Sequence, residues 1–481
     1  MKTSCKNRFV IFAGVLTLSI LACNLFNIGE ESASSLATTT AQPTLPPTAT
    51  MSGPDLTAVA EEAENKTQVA EYTPTAVPPN ITATGLQVTQ VSGYINTFES
   101  LEVVGLVHNQ TDRTVDMIEV EIQVLNAGGN EIYTDKTFTA VDRLAPGEEA
   151  PFSLTVYEDL GGAASSYVAY VVGNGTIDDL KRTEVQIKNM QMTTDEDGDI
   201  YVTGELVNKN NTPVIVNSMA AATFDSASQI LTANYQSVLS RYLEPGESGY
   251  FRISMSGPIS GPGSIDTYTV YLDAEQSEPL ERASISINTT NDYVDLYGNY
   301  HLVGEATNSG DTHYYVSLVA GVYNVQGNVV DAADFSLALE TLAPGETAPF
   351  DFTFWGPLNY NQDSVRTVES NNIIVDDAWT WSTETGMTNL STLENAREDG
   401  DEALYFTGKL VNNTTGLVDS AVIVVFLRDY QSGDIVATNF DYDYEKLEPG
   451  ATYEYAVEIP LWAGLDIDSV VVNYIVKGTK P

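Results

Sequence analysis

"LAPGEEAPF", Leu144 to Phe152, comes back as "LEPGESGYF" at Leu243, as "LAPGETAPF" at Leu342 and as "LEPGATYEY" at Leu447. Proline followed by glycine is the signature of a type II turn: Pro presets φ near −65° and Gly takes the φ > 0 position. The residues beyond each turn alternate as a half-buried strand does, in "PFSLTVY" and "YFRISM". A second anchor, Gly-x-x-x-Asn, stands upstream of each: Gly105 to Asn109, Gly204 to Asn208, Gly304 to Asn308, Gly408 to Asn412. The prolines Pro146, Pro245, Pro344 and Pro449 follow their anchor glycines after 41, 41, 40 and 41 residues. The paired glycines are Gly147, Gly246, Gly345 and Gly450. Two motifs held in one register four times mean a tandem array.

The residues between the anchors read as strands. "SLEVVGLVHN", "DIYVTGELVN", "NYHLVGEATN" and "ALYFTGKLVN" are rich in Val, Tyr and Phe, and each ends on Asn, which suits a turn. "MIEVEIQVLN", "SMAAATFD", "LVAGVYN" and "AVIVVFLRD" follow, each with a turn and a further strand. The closing strands are "SSYVAYVV", "DTYTVYL", "SVRTVESNNIIV" and "DSVVVNYIV". About seven short strands per unit, with turns every 8–12 residues, predict an all-β protein: four tandem immunoglobulin-like antiparallel β-sandwiches. The units run over 82–180, 181–279, 280–380 and 381–481. The segments between them, such as "GTIDDLKRTEV" and "DAEQSEPLERAS", are short and polar, which predicts four separately packed modules with limited flexing.

From Thr82 to Lys480 this succession of a Gly-x-x-x-Asn strand, an aromatic-centred strand, Leu-x-Pro-Gly-Glu and a Phe-led strand resembles the bacterial FxLYD domains. It resembles the related CARDB cell-adhesion modules nearly as much. "IQVLN" at Ile122, "AATFD" at Ala221, "AGVYN" at Ala320 and "VFLRD" at Val425 stand where the name-giving motif would, and none is literal. The resemblance implies extracytoplasmic β-sandwiches without catalytic residues.

Bulk composition agrees. The 481 residues suffice for three to five domains, and 43% hydrophobic residues suffice for real cores. Against 66 acidic residues stand 21 Lys plus Arg, a net charge of −45 that repels phosphate backbones and anionic lipid, so no nucleic-acid partner is expected. Cations, cationic surfaces and neutral polymers are the partners such a surface favours. Cys5 and Cys23 are the two cysteines, so no disulfide staples the body of the chain.

The N-terminus carries an address. Lys2, Lys6 and Arg8 precede an apolar run from Phe9 to Ala22, too short for an ordinary membrane-spanning helix. It ends in Ile20-Leu21-Ala22-Cys23, which resembles the lipobox of bacterial lipoproteins. The resemblance implies a signal peptide over 1–22, lipidation of Cys23 and an extracytoplasmic chain tethered to the cell membrane. Loss of the signal takes three positive charges, leaving −48. Residues 23–81, rich in Ser, Thr, Ala and Pro, predict a disordered stalk, with one short exposed helix over "DLTAVAEEAENKTQVAEY". Some fifty residues of this kind reach ~150 Å extended or ~40 Å as a coil.

Candidate chemistry is sparse. His108, His301 and His313 are the only histidines, expected on exposed strands or loops, although His301 and His313 flank one Gly-Asn segment where a metal pair is conceivable. No nucleophile elbow, HExxH helix, P-loop or dinucleotide fingerprint occurs, and no enzymatic activity is expected. Two acidic turns precede equivalent strands: Asp195, Asp197 and Asp199 in one, Glu398, Asp399, Asp401 and Glu402 in the other. Ca²⁺ is the ion such oxygens would take, without the EF-hand spacing; an Asp-Gly hairpin is the alternative. Trp355, Trp379 and Trp381 in the third repeat are candidates for stacking on sugars, against ordinary packing. The partners expected are the membrane through the lipid, and a surface protein or glycan.

Overall fold

The structure is a computed structural model that describes residues 85–160, 162–176, 182–195, 197–236, 238–258, 265–354 and 368–480. The signal peptide, Cys23, the stalk with its short helix, and Trp355 lie outside the described residues.

Four sets of strands follow one another. The first repeat holds β1 (Leu86–Ile95), β2 (Leu101–Asn109), β3 (Val115–Leu125), β4 (Glu131–Phe138), β5 (Arg143–Leu144), β6 (Glu149–Val156) and β7 (Ser166–Thr176). The second holds β8 (Gln186–Thr194), β9 (Ile200–Val207), β10 (Val214–Phe224), β11 (Ile230–Gln236), β12 (Tyr242–Leu243), β13 (Ser248–Met255) and β14 (Thr267–Gln276). The third holds β15 (Ile285–Val294), β16 (Tyr300–Asn308), β17 (His313–Tyr315), β18 (Ser317–Asn324), β19 (Val329–Ser336), β20 (Thr347–Thr353), β21 (Val368–Val375) and β22 (Trp381–Thr383). The fourth holds β23 (Thr388–Asn389), β24 (Ser391–Asp399), β25 (Ala403–Val411), β26 (Ser420–Asp429), β27 (Ile435–Asp443), β28 (Thr452–Pro460) and β29 (Val470–Thr479).

Each repeat is a sandwich of two antiparallel sheets. In the first, β1-β2-β6 faces β4-β3-β7, with β5 paired to β3; the second repeats this with β8-β9-β13 and β11-β10-β14. The third uses β15-β16-β20 and β19-β18-β21, the fourth β24-β25-β28 and β23-β29-β26-β27. The β17–β22 pair keeps the chain on the third sandwich as far as Thr383. No α-helix occurs among the described residues.

The two sequence anchors touch in every repeat, which explains their fixed spacing. Gly147, Gly246, Gly345 and Gly450 take φ of 82°, 85°, 73° and 80°, where a Cβ would be strained. Their amides donate to the backbone carbonyls of Asn109, Asn208, Asn308 and Asn412 at 2.7–2.8 Å. Those asparagines are fully buried. Each Nδ2 donates twice, to the carbonyl of the Leu that opens the Leu-x-Pro-Gly loop (Leu144, Leu243, Leu342, Leu447) and to a carbonyl four residues beyond the Asn. The anchor glycines stand opposite an aromatic of the strand after the turn: Gly105 pairs with Phe152, Gly204 with Phe251, Gly304 with Phe350 and Gly408 with Tyr455. A Cβ on Gly204 would lie 2.7 Å from the Phe251 ring. One asparagine and one glycine thus weld the anchor strand, the turn and the strand after the turn in each sandwich.

The repeats are not separately packed modules, contrary to the sequence expectation. Alternate side chains of β2 point away from its own core, and Val104 and Leu106 join Tyr94 in a buried cluster with Ala222, Phe224, Ile230 and Ala233 of the second repeat. At the next seam Tyr250, fully buried, packs on Val319, Val329 and Ala332 of the third. A Cβ on Gly321 would come within 2.6 Å of the Tyr250 ring, so that glycine lets the two sheets approach. At the third seam Tyr293 and Val303 enter the core cluster of the fourth repeat. Each buried Val or Leu is worth ~1.5–3 kcal/mol, so freely swinging repeats would forfeit much stability. The outer faces at the two ends differ. Glu119, Glu121 and Gln123 stand partly exposed on β3 where β10 has buried alanines, and Tyr405, Thr407 and Glu454 lie exposed on β25 and β28. Polar outer faces at both ends of a stack are what a repeat array needs for solubility.

Candidate functional site

The fourth residue of the loop motif does work that its turn does not require. Glu148, Glu247 and Glu346 each accept, at 2.7–2.9 Å, the amide three residues back, closing the turn. Each also pairs with a base beyond its own sandwich. Arg182 Nη1 lies 2.5 Å from Glu148, Arg282 Nη2 lies 2.7 Å from Glu247, and Lys477 pairs with Glu346. Arg182 and Arg282 occupy the first two of the three linkers. Arg182 Nε also bonds Asp273 of the second repeat at 2.9 Å, and Arg282 Nε bonds Asp377 at 2.7 Å. Burial pushes the Asp273 and Asp377 carboxyls up, and their arginines pull them back only in part. In the fourth loop Ala451 stands where the glutamate would be. Sequence reasoning missed this set. Its signal was a basic residue at the same place in two linkers of a chain holding 21 Lys plus Arg.

The acidic turns are clasps of the hairpin between the first two strands. Asp195 Oδ1 accepts the amides of Asp197 at 3.1 Å and Asp199 at 2.8 Å, and Oδ2 accepts the Tyr201 hydroxyl at 3.2 Å. Asp199 Oδ1 takes the Thr97 hydroxyl of the first repeat at 2.8 Å. The same six-residue reach links Asn96 to Glu102 and Asp295 to His301. In the fourth repeat Asp399 pairs with Arg397 at 2.5 Å, while Glu398, Asp401 and Glu402 stay exposed. No group of three or more His, Cys, Asp or Glu side chains converges for a metal ion among the described residues. The turns also dock forward: Thr97 N donates to Gly257 O at 3.1 Å, and Leu296 N to Leu461 O at 2.8 Å.

His301 is 3% exposed, not the surface histidine expected. It points outward from β16, but the fourth repeat covers that face. Its Nδ1 lies 2.9 Å from Asp351 Oδ1 and its Nε2 3.2 Å from Asp295 Oδ2. Tyr293 stacks flat on the imidazole with centroids 4.5 Å apart, Trp462 of the fourth repeat stacks on Tyr293 at 4.1 Å, and the Tyr293 hydroxyl donates to Asp351 at 3.2 Å. Burial alone would push the imidazole down; the carboxylates of Asp351 and Asp295 outweigh it and hold it up at about 9. Burial likewise favours a neutral Asp295, but its bonds from His301 and Asn299 win and hold it below the usual carboxylate range. A cavity of 310 Å³ opens beside this cluster, with Phe335 and Phe440 among its walls. Both imidazole nitrogens, the Tyr293 hydroxyl and the two carboxylates bond one another, so the arrangement fastens the seam. His313 lies on β17 opposite Thr383 and takes no part; His108 lies on β2 in the first repeat.

Trp379 and Trp381 are about half exposed. Trp381 stacks on Tyr315 at 4.2 Å and 13°, and the Arg241 guanidinium sits 5.9 Å above the Trp379 ring, so each already has a partner on a ring face.

No family model matches the chain, and no curated protein matches it. Among solved structures, the native conformation of E. coli alpha-2-macroglobulin aligns with 81% of this chain and 26% of its own length, at 9% identity and a TM-score of 0.11. A likeness so slight carries no argument about this chain.

Proposed function

We propose that the chain is a non-catalytic, lipid-anchored protein of a bacterial surface, whose four FxLYD-like or CARDB-like sandwiches act as a spacer and binding array. The observation that carries this reading is the stack itself: apolar seams joined by glutamate latches, with polar faces at both ends. Such a body suits reach and presentation of a surface. The lipobox-like Ile20-Leu21-Ala22-Cys23 and the stalk over 23–81 supply the tether in this reading. Two or three acyl chains hold a protein durably, at ~0.8 kcal/mol per buried CH₂. The test is expression of the full chain in a bacterial host with labelled palmitate. Wild type should take the label and partition with membranes, and Cys23→Ser should do neither. Membrane-bound Cys23→Ser, or unlabelled wild type, refutes the anchor.

A further inference from the structure

Two open cavities, of 780 and 520 Å³, lie along the seam between the first and second repeats and share Ser153 and Tyr235, which makes them one trough. Four aromatic side chains stand along it more than half exposed: Phe138, Tyr235, Tyr157 and Phe98. A single exposed aromatic is ordinary; several on one concave surface mark a binding site. The wall adds polar groups without partners. Arg143 Nη2, Asn217 Nδ2 and Asp116 Oδ1 are buried and make no hydrogen bond among the described residues, and all three residues line the larger cavity. Leaving such an atom unpaired costs stability, and three of them gathered on one cavity wall point to a ligand that would pair them. The set is not part of the repeat scaffold either. The residue before the loop's Leu is Arg143 here but Tyr242, Thr341 and Lys446 in the later repeats.

We propose that this trough binds a linear, neutral glycan. Sugar rings present apolar C–H faces that stack on aromatic side chains, while each hydroxyl both donates and accepts. Two donors and one acceptor behind an aromatic rim match that chemistry. A strongly anionic polymer is disfavoured by a net charge of −45. A peptide adding to the β4 edge would be held through its main chain, with no use for the rim. The trough does not depend on the lipid anchor, so its failure leaves that reading standing.

The experiment uses the full chain in detergent micelles: affinity electrophoresis in gels containing xylan, glucomannan or dextran, and pull-down on cellulose, chitin and insoluble mannan. At least one of these should retain wild type. The Phe138→Ala/Tyr235→Ala double variant should melt as wild type does and bind at least tenfold more weakly, and Asn217→Ala roughly fivefold more weakly. Tyr430→Ala, at a still more exposed aromatic in the fourth repeat, should bind as wild type. No retention of wild type on any of the six, an unimpaired double variant, or a Tyr430→Ala loss as large as that of the double variant overturns the proposal.

Discussion

Arg182 reaches from the first linker in both directions, placing Nη1 2.5 Å from Glu148 of the first sandwich and Nε 2.9 Å from Asp273 of the second. The two halves of this latch are unequal. Glu148 is 45% exposed, and a screened pair of that kind is worth about 0.5 kcal/mol. The Asp273 side chain is fully buried, and removing one of its two arginines strands part of a buried charge. Arg182→Ala should therefore cost about 2 kcal/mol in urea denaturation, and Glu148→Gln about 0.5. Ala451→Glu, which restores the motif in the fourth loop at a partly exposed surface position, should change stability by less than about 0.5 kcal/mol. Equal losses in Arg182→Ala and Glu148→Gln would show that the glutamate contact carries the latch.

The buried asparagine of each repeat makes a sharper test of the weld between strand two and the Pro-Gly turn. Asn208 Nδ2 donates to Thr212 O and Leu243 O, both at 2.9 Å, and Oδ1 accepts Asn210 N at 2.9 Å. Asn208→Ala leaves two carbonyls and one amide without those partners, a loss of about 3 kcal/mol. Asn208→Asp keeps the size but aims a carboxylate at two carbonyl oxygens, and should cost at least as much at pH 7. Lowering the pH to 4, where that carboxyl takes up a proton and regains a donor, should recover part of the Asp variant's loss and none of the Ala variant's. A neutral Asn208→Asp would mean that the donor role is dispensable.

The sandwiches were legible because their defining residues are local: a turn that only Pro-Gly fits well, and an Asn and a Gly that meet it at fixed spacing. The seams were written in the sequence less openly. In "MIEVEIQVLN" Glu119, Glu121 and Gln123 face outward and alternate with core residues, whereas "SMAAATFD" places Ala220 and Ala222 at the outward positions. A strand apolar on both faces is buried on both faces, so the loss of alternation after the first repeat was the mark of stacking. The latch required more. Glu148 and Arg182 are 34 residues apart, and Arg182 and Asp273 are 91 apart; no spacing rule joins them, since their meeting depends on how one sandwich lies on the next. His301 was misread for the same reason. Its alternation with Tyr300 and Leu302 places it outside its own core, and only the fourth repeat makes that outside an interior.

That burial makes His301 the residue through which pH should act on the third seam. Its unfolded imidazole titrates near 6.5, and between Asp351 and Asp295 it is held up at about 9. The folded chain therefore binds a proton that the unfolded chain releases between those values, so stability falls as pH rises through the interval. The contribution is whole below pH 6.5 and is lost by the time the pH passes 9. Its size is roughly 3 kcal/mol, from ~1.4 kcal/mol for each tenfold difference in proton affinity. Asp376, which burial pushes up to about 7, destabilises in the same direction, so the comparison must be with a variant rather than with wild type alone. His301→Gln keeps a side-chain amide near the two carboxylates but carries no charge. At pH 6 it should be less stable than wild type by about that amount, and by pH 10 the two melting curves should draw together. Histidine NMR should show the wild-type His301 resonance titrating at about 9. A gap between wild type and His301→Gln that stays constant from pH 6 to 10 would show that the imidazole fastens the seam by shape and not by charge.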